Sequence, residues 1–178
     1  MIRVSEVYET APSEFKTELQ RLGYGKFAEL GIPFTRVDND PAVTMEDCEA
    51  IDAALQVKVC KTLFLCNRQQ TMFYLYVMPG DKPFVTKEFG AALGISRVSF
   101  APEQFLLPKL GTVIGATTVF SAWQESAKDV RVVIDNKVLK DEWYGGTDGT
   151  TTCYLRIAMK DFTEKILPDL GIEFTRIN

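Results

Sequence analysis

The chain has 178 residues, 46% hydrophobic and 25% charged, a composition that suits one folded domain and excludes wholesale disorder. It contains no histidine, so a Ser/His/Asp or Cys/His device, a His-ligated zinc site and a histidine general base are all ruled out. With 24 acidic against 20 basic residues and a net charge of −4, it lacks the broad basic surface that grips duplex DNA.

The N-terminus carries Arg3, Glu6 and Glu9 rather than the apolar core of a secretory signal. Apolar runs such as Thr62–Leu65 and Phe73–Met78 fall far short of the ~20 residues that cross a bilayer, so the expected setting is the cytoplasm, with no membrane partner. Between Ser13 and Leu30, Phe15, Leu19, Leu22, Phe27 and Leu30 recur at helical spacing, interrupted by Gly23 and Gly25, which predicts two short helices. Ile32–Val37 reads as a strand and Asp38–Pro41 as a turn. Thr44 with Asp47 offers a helix N-cap, followed by Met45, Cys48, Ile51, Ala54 and Leu55 on one face. Val57–Cys66 and Met72–Met78, rich in β-branched and aromatic residues around the polar Asn67–Thr71, predict a hairpin.

Thr86–Leu93 reads as a helix ended by Gly94, and Arg97–Phe100 as a strand. A helix is expected from Pro102 to about Leu110, with Gly111 beyond its end. Val130–Ile134 and Thr150–Ala158 are expected strands, Lys160–Leu167 a helix and Glu173–Ile177 a short final strand. No repeat or linker interrupts the chain, so residues 1–178 are expected to form a single domain. The fold class is α/β (α+β), with a mixed, curved sheet flanked by helices, because a hairpin is incompatible with a purely parallel doubly wound sheet.

Few residues offer chemistry. The four cysteines form no CxxC pair and read as reduced structural thiols. The Gly111–Val119 segment lacks the lysine of a phosphate loop and the spacing of a dinucleotide site. It is either a helix cap followed by a tight turn, or a loop whose backbone N–H groups meet a carbonyl or carboxylate. Gly145–Thr152 reads as a flexible hairpin or loop. Lys61 stands among Val57, Val59, Leu63 and Leu65 on one strand face; it either reaches solvent or a carboxylate from a sheet edge, or faces a cleft and binds an anion or a polarised carbonyl.

The segments Phe27–Phe34, Thr44–Cys48, Val59–Asn67, Met78–Lys82, Arg97–Ala101, Gly111–Val119 and Val132–Asp135, in that order and spacing, resemble the YbaK-like, prolyl-tRNA-synthetase-associated editing domains. The likeness is strongest to their free-standing branch, which hydrolyses mischarged aminoacyl-tRNA. The resemblance implies a pocket for the aminoacylated 3′ end of tRNA, with prolyl-tRNA synthetase as a further partner and no metal or organic cofactor. Lys61 matches the family's K-[TN]-L-[FL] lysine. Gly115–Val119 matches a loop often written GxxxP, whose amides contact the aminoacyl carbonyl, with Val119 in place of the proline. Where relatives carry His-Pro and, after two intervening residues, Asn, this chain has Thr147, Asp148 and Thr151; Asn39 stands where many have His.

The resemblance thus implies a catalytic set of Lys61, Gly115, Ala116 and Thr117, and a substrate-binding set of Asn39, Thr44, Thr118, Val119, Thr147, Asp148 and Thr151. It implies clearance of alanine from tRNA for proline. An aminoacyl ester with a vicinal ribose hydroxyl is already activated, so positioned water and a stabilised oxyanion suffice without histidine. The alternatives are a catalytically silent tRNA- or amino-acid-binding member of the same fold, or a small-molecule binder that has reused the pocket.

Overall fold

A computed structural model describes all 178 residues. The first helix, α1 (Glu18–Leu30), is continuous where two were expected. No heavy atom lies within 4 Å of a Cβ built at Gly23 or Gly25, so neither glycine marks a close approach. Their helix cost of about 1 kcal/mol each is outweighed by burial of Leu19, Tyr24 and Phe27. Thr17 caps its start by accepting from the Gln20 N–H, and Gly31 ends it in the left-handed conformation.

β1 (Phe34–Asp38) follows, then α2 (Glu49–Leu55), which begins five residues after the expected cap. The Thr44/Asp47 pair still works as a reciprocal turn: Thr44 Oγ1 accepts from Asp47 N at 3.2 Å, and Asp47 Oδ2 accepts from Val43 and Thr44 N at 3.1 and 3.2 Å. Residues 43–47 are therefore a braced turn ahead of the helix rather than its first turn. The hairpin is present as β2 (Cys60–Asn67) and β3 (Phe73–Pro79), its turn closed by Asn67 Oδ1 accepting from Thr71 and Met72 N. α3 (Thr86–Leu93) ends at left-handed Gly94 as the sequence suggests.

β4 (Val98–Phe100) leads into a 3₁₀ turn, Glu103–Phe105, and a wider π turn, Leu106–Leu110, instead of a regular helix. Pro108 has no N–H to donate, so the α ladder cannot run through it. β5 (Arg131–Asp135), the short α4 (Asn136–Leu139), β6 (Trp143–Thr147), β7 (Cys153–Ala158), a helical stretch over 159–169 and β8 (Phe174–Ile177) complete the chain.

β6 corrects the reading of Gly145–Thr152 as flexible. Its residues from Tyr144 to Thr147 are buried, and a Cβ on Gly145 would come within 2.7 Å of Val57 Cγ1. The glycine there permits close packing, which composition alone does not separate from mobility.

The strands form a mixed five-stranded sheet, β4-β2-β3-β5-β8, and an antiparallel three-stranded sheet, β1-β7-β6. β2 pairs antiparallel with β3 and β4, whereas β3/β5 and β5/β8 are parallel. Central β3 is buried on both faces, hence its near-continuous apolar sequence. The largest buried cluster joins Phe64, Phe73, Leu75 and Val77 of one sheet to Tyr144, Leu155 and Ile157 of the other and to Tyr24 and Phe27 of α1. On its other face the five-stranded sheet packs Leu65, Tyr74 and Tyr76 against Phe89 of α3. No helix is long and apolar enough to cross a membrane.

Candidate active site

Where the two sheets meet, a cavity of about 390 Å³ opens, a volume suited to a small ligand. Its wall takes in the braced 43–48 turn, Cys60–Phe64 of β2, residues between Phe100 and Leu106, the 114–117 loop, and Thr147 and Tyr154 of the three-stranded sheet. Lys61 and Gly115, 54 positions apart in the chain, thus share one cavity.

Lys61 lies opposite Met78 in the hairpin and its side chain makes no hydrogen bond or ion pair, although five other lysines, such as Lys82 with Asp135, have carboxylate partners. Burial pulls its ammonium below the ordinary lysine value, opposed by the more distant charge of Asp81. Glu103 is the only carboxylate on the wall. Lys61 is thus the one cationic residue on the wall and is in no ion pair, the arrangement expected of a group awaiting an electron-rich ligand.

In the loop, Gly115 has φ +87°, a conformation that costs other residues ~1–2 kcal/mol. Its N–H and that of Thr117 donate to no acceptor in the protein. Ala116 departs from the expected set: its N–H donates to Val113 O at 3.1 Å and its side chain is fully buried. That bond holds the turn that leaves the flanking amides unspent.

The expected substrate-binding set divides in two. Thr44 and Thr147 line the cavity; Asn39, Thr118, Val119, Asp148 and Thr151 do not. Thr118 caps the 3₁₀ turn Val119–Trp123 by accepting from Phe120 N, and Val119 is wholly buried. The stiffness a proline would give this loop comes instead from a cap and a core anchor.

Asp148 is buried and saturated: its carboxylate accepts from Gln20 Nε2 at 2.8 Å, Tyr24 OH at 2.9 Å, and Thr150 N and Oγ1 at 3.1 and 2.7 Å. Asn39 Nδ2 and Ala42 N both donate to Thr151 O, tying the end of β1 to the turn before β7. Even the Thr147 hydroxyl, on the wall, is occupied, donating to Thr150 O and accepting from Gly149 N. These residues shape the wall from behind.

The wall also holds Met45, Cys48, Phe64, Phe100, Glu103 and Tyr154, none of which the sequence singled out. The only local signal was the Thr44/Asp47 turn that places the first two. Enclosure pushes the Cys60 thiol up to about 12, and burial raises Cys48 and Tyr154 above their ordinary values. All three stay protonated at neutral pH, so none is an enzymic nucleophile. No three Cys, Asp or Glu side chains converge in a way that could hold a metal ion.

This arrangement can bind a carbonyl through backbone donors beside an isolated positive charge. Residues 39–165 match the family model described as an aminoacyl-tRNA editing domain. The chain is 31% identical over 114 residues to the prolyl-tRNA editing protein ProX of Acetoanaerobium sticklandii, spanning 64% of this chain and 70% of that protein. Two solved structures have the same fold at a TM-score of 0.65: a candidate trans-editing enzyme for prolyl tRNA synthetase (15% identity, 93% of this chain and 99% of that one) and the hypothetical protein APE2540 (16% identity, 85% and 95%).

Proposed function

The chain belongs to the family of aminoacyl-tRNA editing domains, and from that premise we propose that it is a trans-acting deacylase of mischarged tRNA, with Ala-tRNA(Pro) as substrate, working in the cytoplasm alongside prolyl-tRNA synthetase. The observation that carries this reading is the meeting, on one cavity wall, of the unpaired Lys61 ammonium with the undonated Gly115 and Thr117 amides.

The ester carbonyl oxygen accepts from the Gly115 and Thr117 N–H groups, and Lys61 supplies the positive potential that favours charge on that oxygen. Water adds to the carbonyl carbon, helped by the ribose hydroxyl next to the ester, and its proton passes to the departing ribose oxygen. Free amino acid and uncharged tRNA result, with no covalent intermediate. Apolar side chains such as Met45, Phe64 and Leu106 bound the cavity, so a small acyl side chain is admitted more readily than a bulkier one.

A panel of mischarged tRNAs tests the reading. Ala-tRNA(Pro) is expected to be hydrolysed and Pro-tRNA(Pro) spared; hydrolysis of none of the panel would remove the proposal. A silent binding protein is the second reading, favoured by the saturation of Thr147 and Asp148 where relatives carry a polar pocket wall. Retention of tRNA without turnover selects it. Co-purification with prolyl-tRNA synthetase tests the partner.

A further inference from the structure

The mouth of the cavity is more apolar than a surface of this kind needs to be. Among the large apolar side chains left exposed, Phe100 (60%), Val43 (54%) and Ile114 (53%) meet on this rim. Such clusters on a soluble surface mark a binding function more often than chance.

All three are held in place. Phe100 sits in β4, its strand register opposite Leu65, and the next residue's N–H donates to Phe64 O at 2.9 Å. Its ring meets Phe84 edge to face, centroids 5.7 Å apart at 68°. Val43 is fixed by the bond from its N–H to Asp47, and Ile114 by the Val113–Ala116 turn. An aromatic ring fixed by its neighbour yet largely open to solvent loses little freedom when a second ring settles on it.

We propose that this rim seats the base of the terminal adenosine of tRNA, with Phe100 as its stacking partner and Val43 and Ile114 completing the apolar bed. The proposal deepens the deacylase reading and rests on it. With the ester carbonyl at the Gly115 and Thr117 amides, the base lies one ribose away, at the mouth. Val43 and Ile114 bracket that position, since Ile114 precedes Gly115 in the chain and a Cβ on Gly115 would touch Val43 Cα at 3.1 Å. Lys61 is the only cation on the wall, so the rim offers a phosphate nothing and a flat π face a great deal.

The test uses two non-hydrolysable probes: 3′-alanylamino-3′-deoxyadenosine and the same alanylamino ribose without its base. The intact protein is expected to bind the adenosine probe ~10- to 100-fold more tightly, the range of one base–aromatic stack. Phe100→Ala should erase that difference and raise KM for mischarged tRNA by a similar factor, while Phe100→Tyr should keep it. Because the side chain is exposed, truncation should leave the fold intact, which a thermal melt checks; Ile114→Ser gives an independent partial loss.

Equal binding of the two probes by a protein that hydrolyses mischarged tRNA overturns the stacking site and leaves the deacylase reading standing. Base-dependent binding abolished by Phe100→Ala in a protein that hydrolyses nothing upholds the site and defeats the catalytic reading. Failure of both assays defeats both.

Discussion

Gly115→Ala separates what the 114–117 loop does for catalysis from what it does for the fold. At φ +87° an L-residue is strained by ~1–2 kcal/mol. The added methyl group would also stand 3.1 Å from both Cα and Cγ1 of Val43, closer than ordinary van der Waals contact. Val43 cannot retreat easily, because its N–H is bound to Asp47 and the Ala42 N–H before it to Thr151 O at 2.9 Å. The side of the loop facing the cavity is unbraced, so the loop moves instead. The summed cost is about 2 kcal/mol, and at ~2–4 °C per kcal/mol for a chain of this size Tm should fall by about 4–8 °C. Displacing the amides from the carbonyl should lower the single-turnover rate on Ala-tRNA(Pro) by ~10²–10³, the loss measured for one oxyanion donor elsewhere. Both are read on the same preparation, with deacylation followed well below Tm. A melt that shifts as expected while the rate stays within about threefold of the parent would refute the role of these amides.

Lys61→Met is expected to reduce hydrolysis by ~10², yet to leave Tm unchanged or raised, since removing an unpaired half-buried charge orphans no partner. Because burial depresses its folded pKa below the unfolded value of 10.5, the energetic cost of its charge is present at neutral pH. That cost is relieved as pH rises through the folded pKa, so the Tm advantage of Lys61→Met should narrow toward alkaline pH; an advantage that grew instead would reverse the sign of this account. The ammonium is the working form, so the protein-dependent rate, corrected for spontaneous ester hydrolysis, should begin to fall at a pH below that of an ordinary lysine. Asp148→Ala orphans buried donors on Gln20, Tyr24 and Thr150 and should cost about 3 kcal/mol. Calorimetry should show Tm lower by ~6–12 °C, with the molecules still folded retaining activity; a loss of activity at unchanged Tm would return Asp148 to the substrate.

Much of the fold was legible because its cues are local. The β2–β3 hairpin follows from apolar β-branched runs around a polar turn, and α3 from its periodicity and terminal Gly94. Misreadings fell where distant packing overrules local preference. Gly23 and Gly25 weaken a helix in isolation, yet the buried face of α1 carries them. Gly145 and Gly146 weaken Trp143–Thr147 as a strand, yet it pairs with β7 along its whole length and is buried from Tyr144 to Thr147.

The candidate site divides in the same way. Sequence by itself determined the family and raised the two features that matter most, a lysine among apolar strand residues and a glycine-bounded loop of small residues, because residue type and spacing are written along the chain. Only the tertiary structure decided that these two share a cavity, that Ala116 spends its amide on the turn while Gly115 and Thr117 do not, and that Asp148 serves the core. Those outcomes depend on which acceptor lies within about 3 Å of each donor, and folding sets that distance by joining segments that the chain keeps far apart.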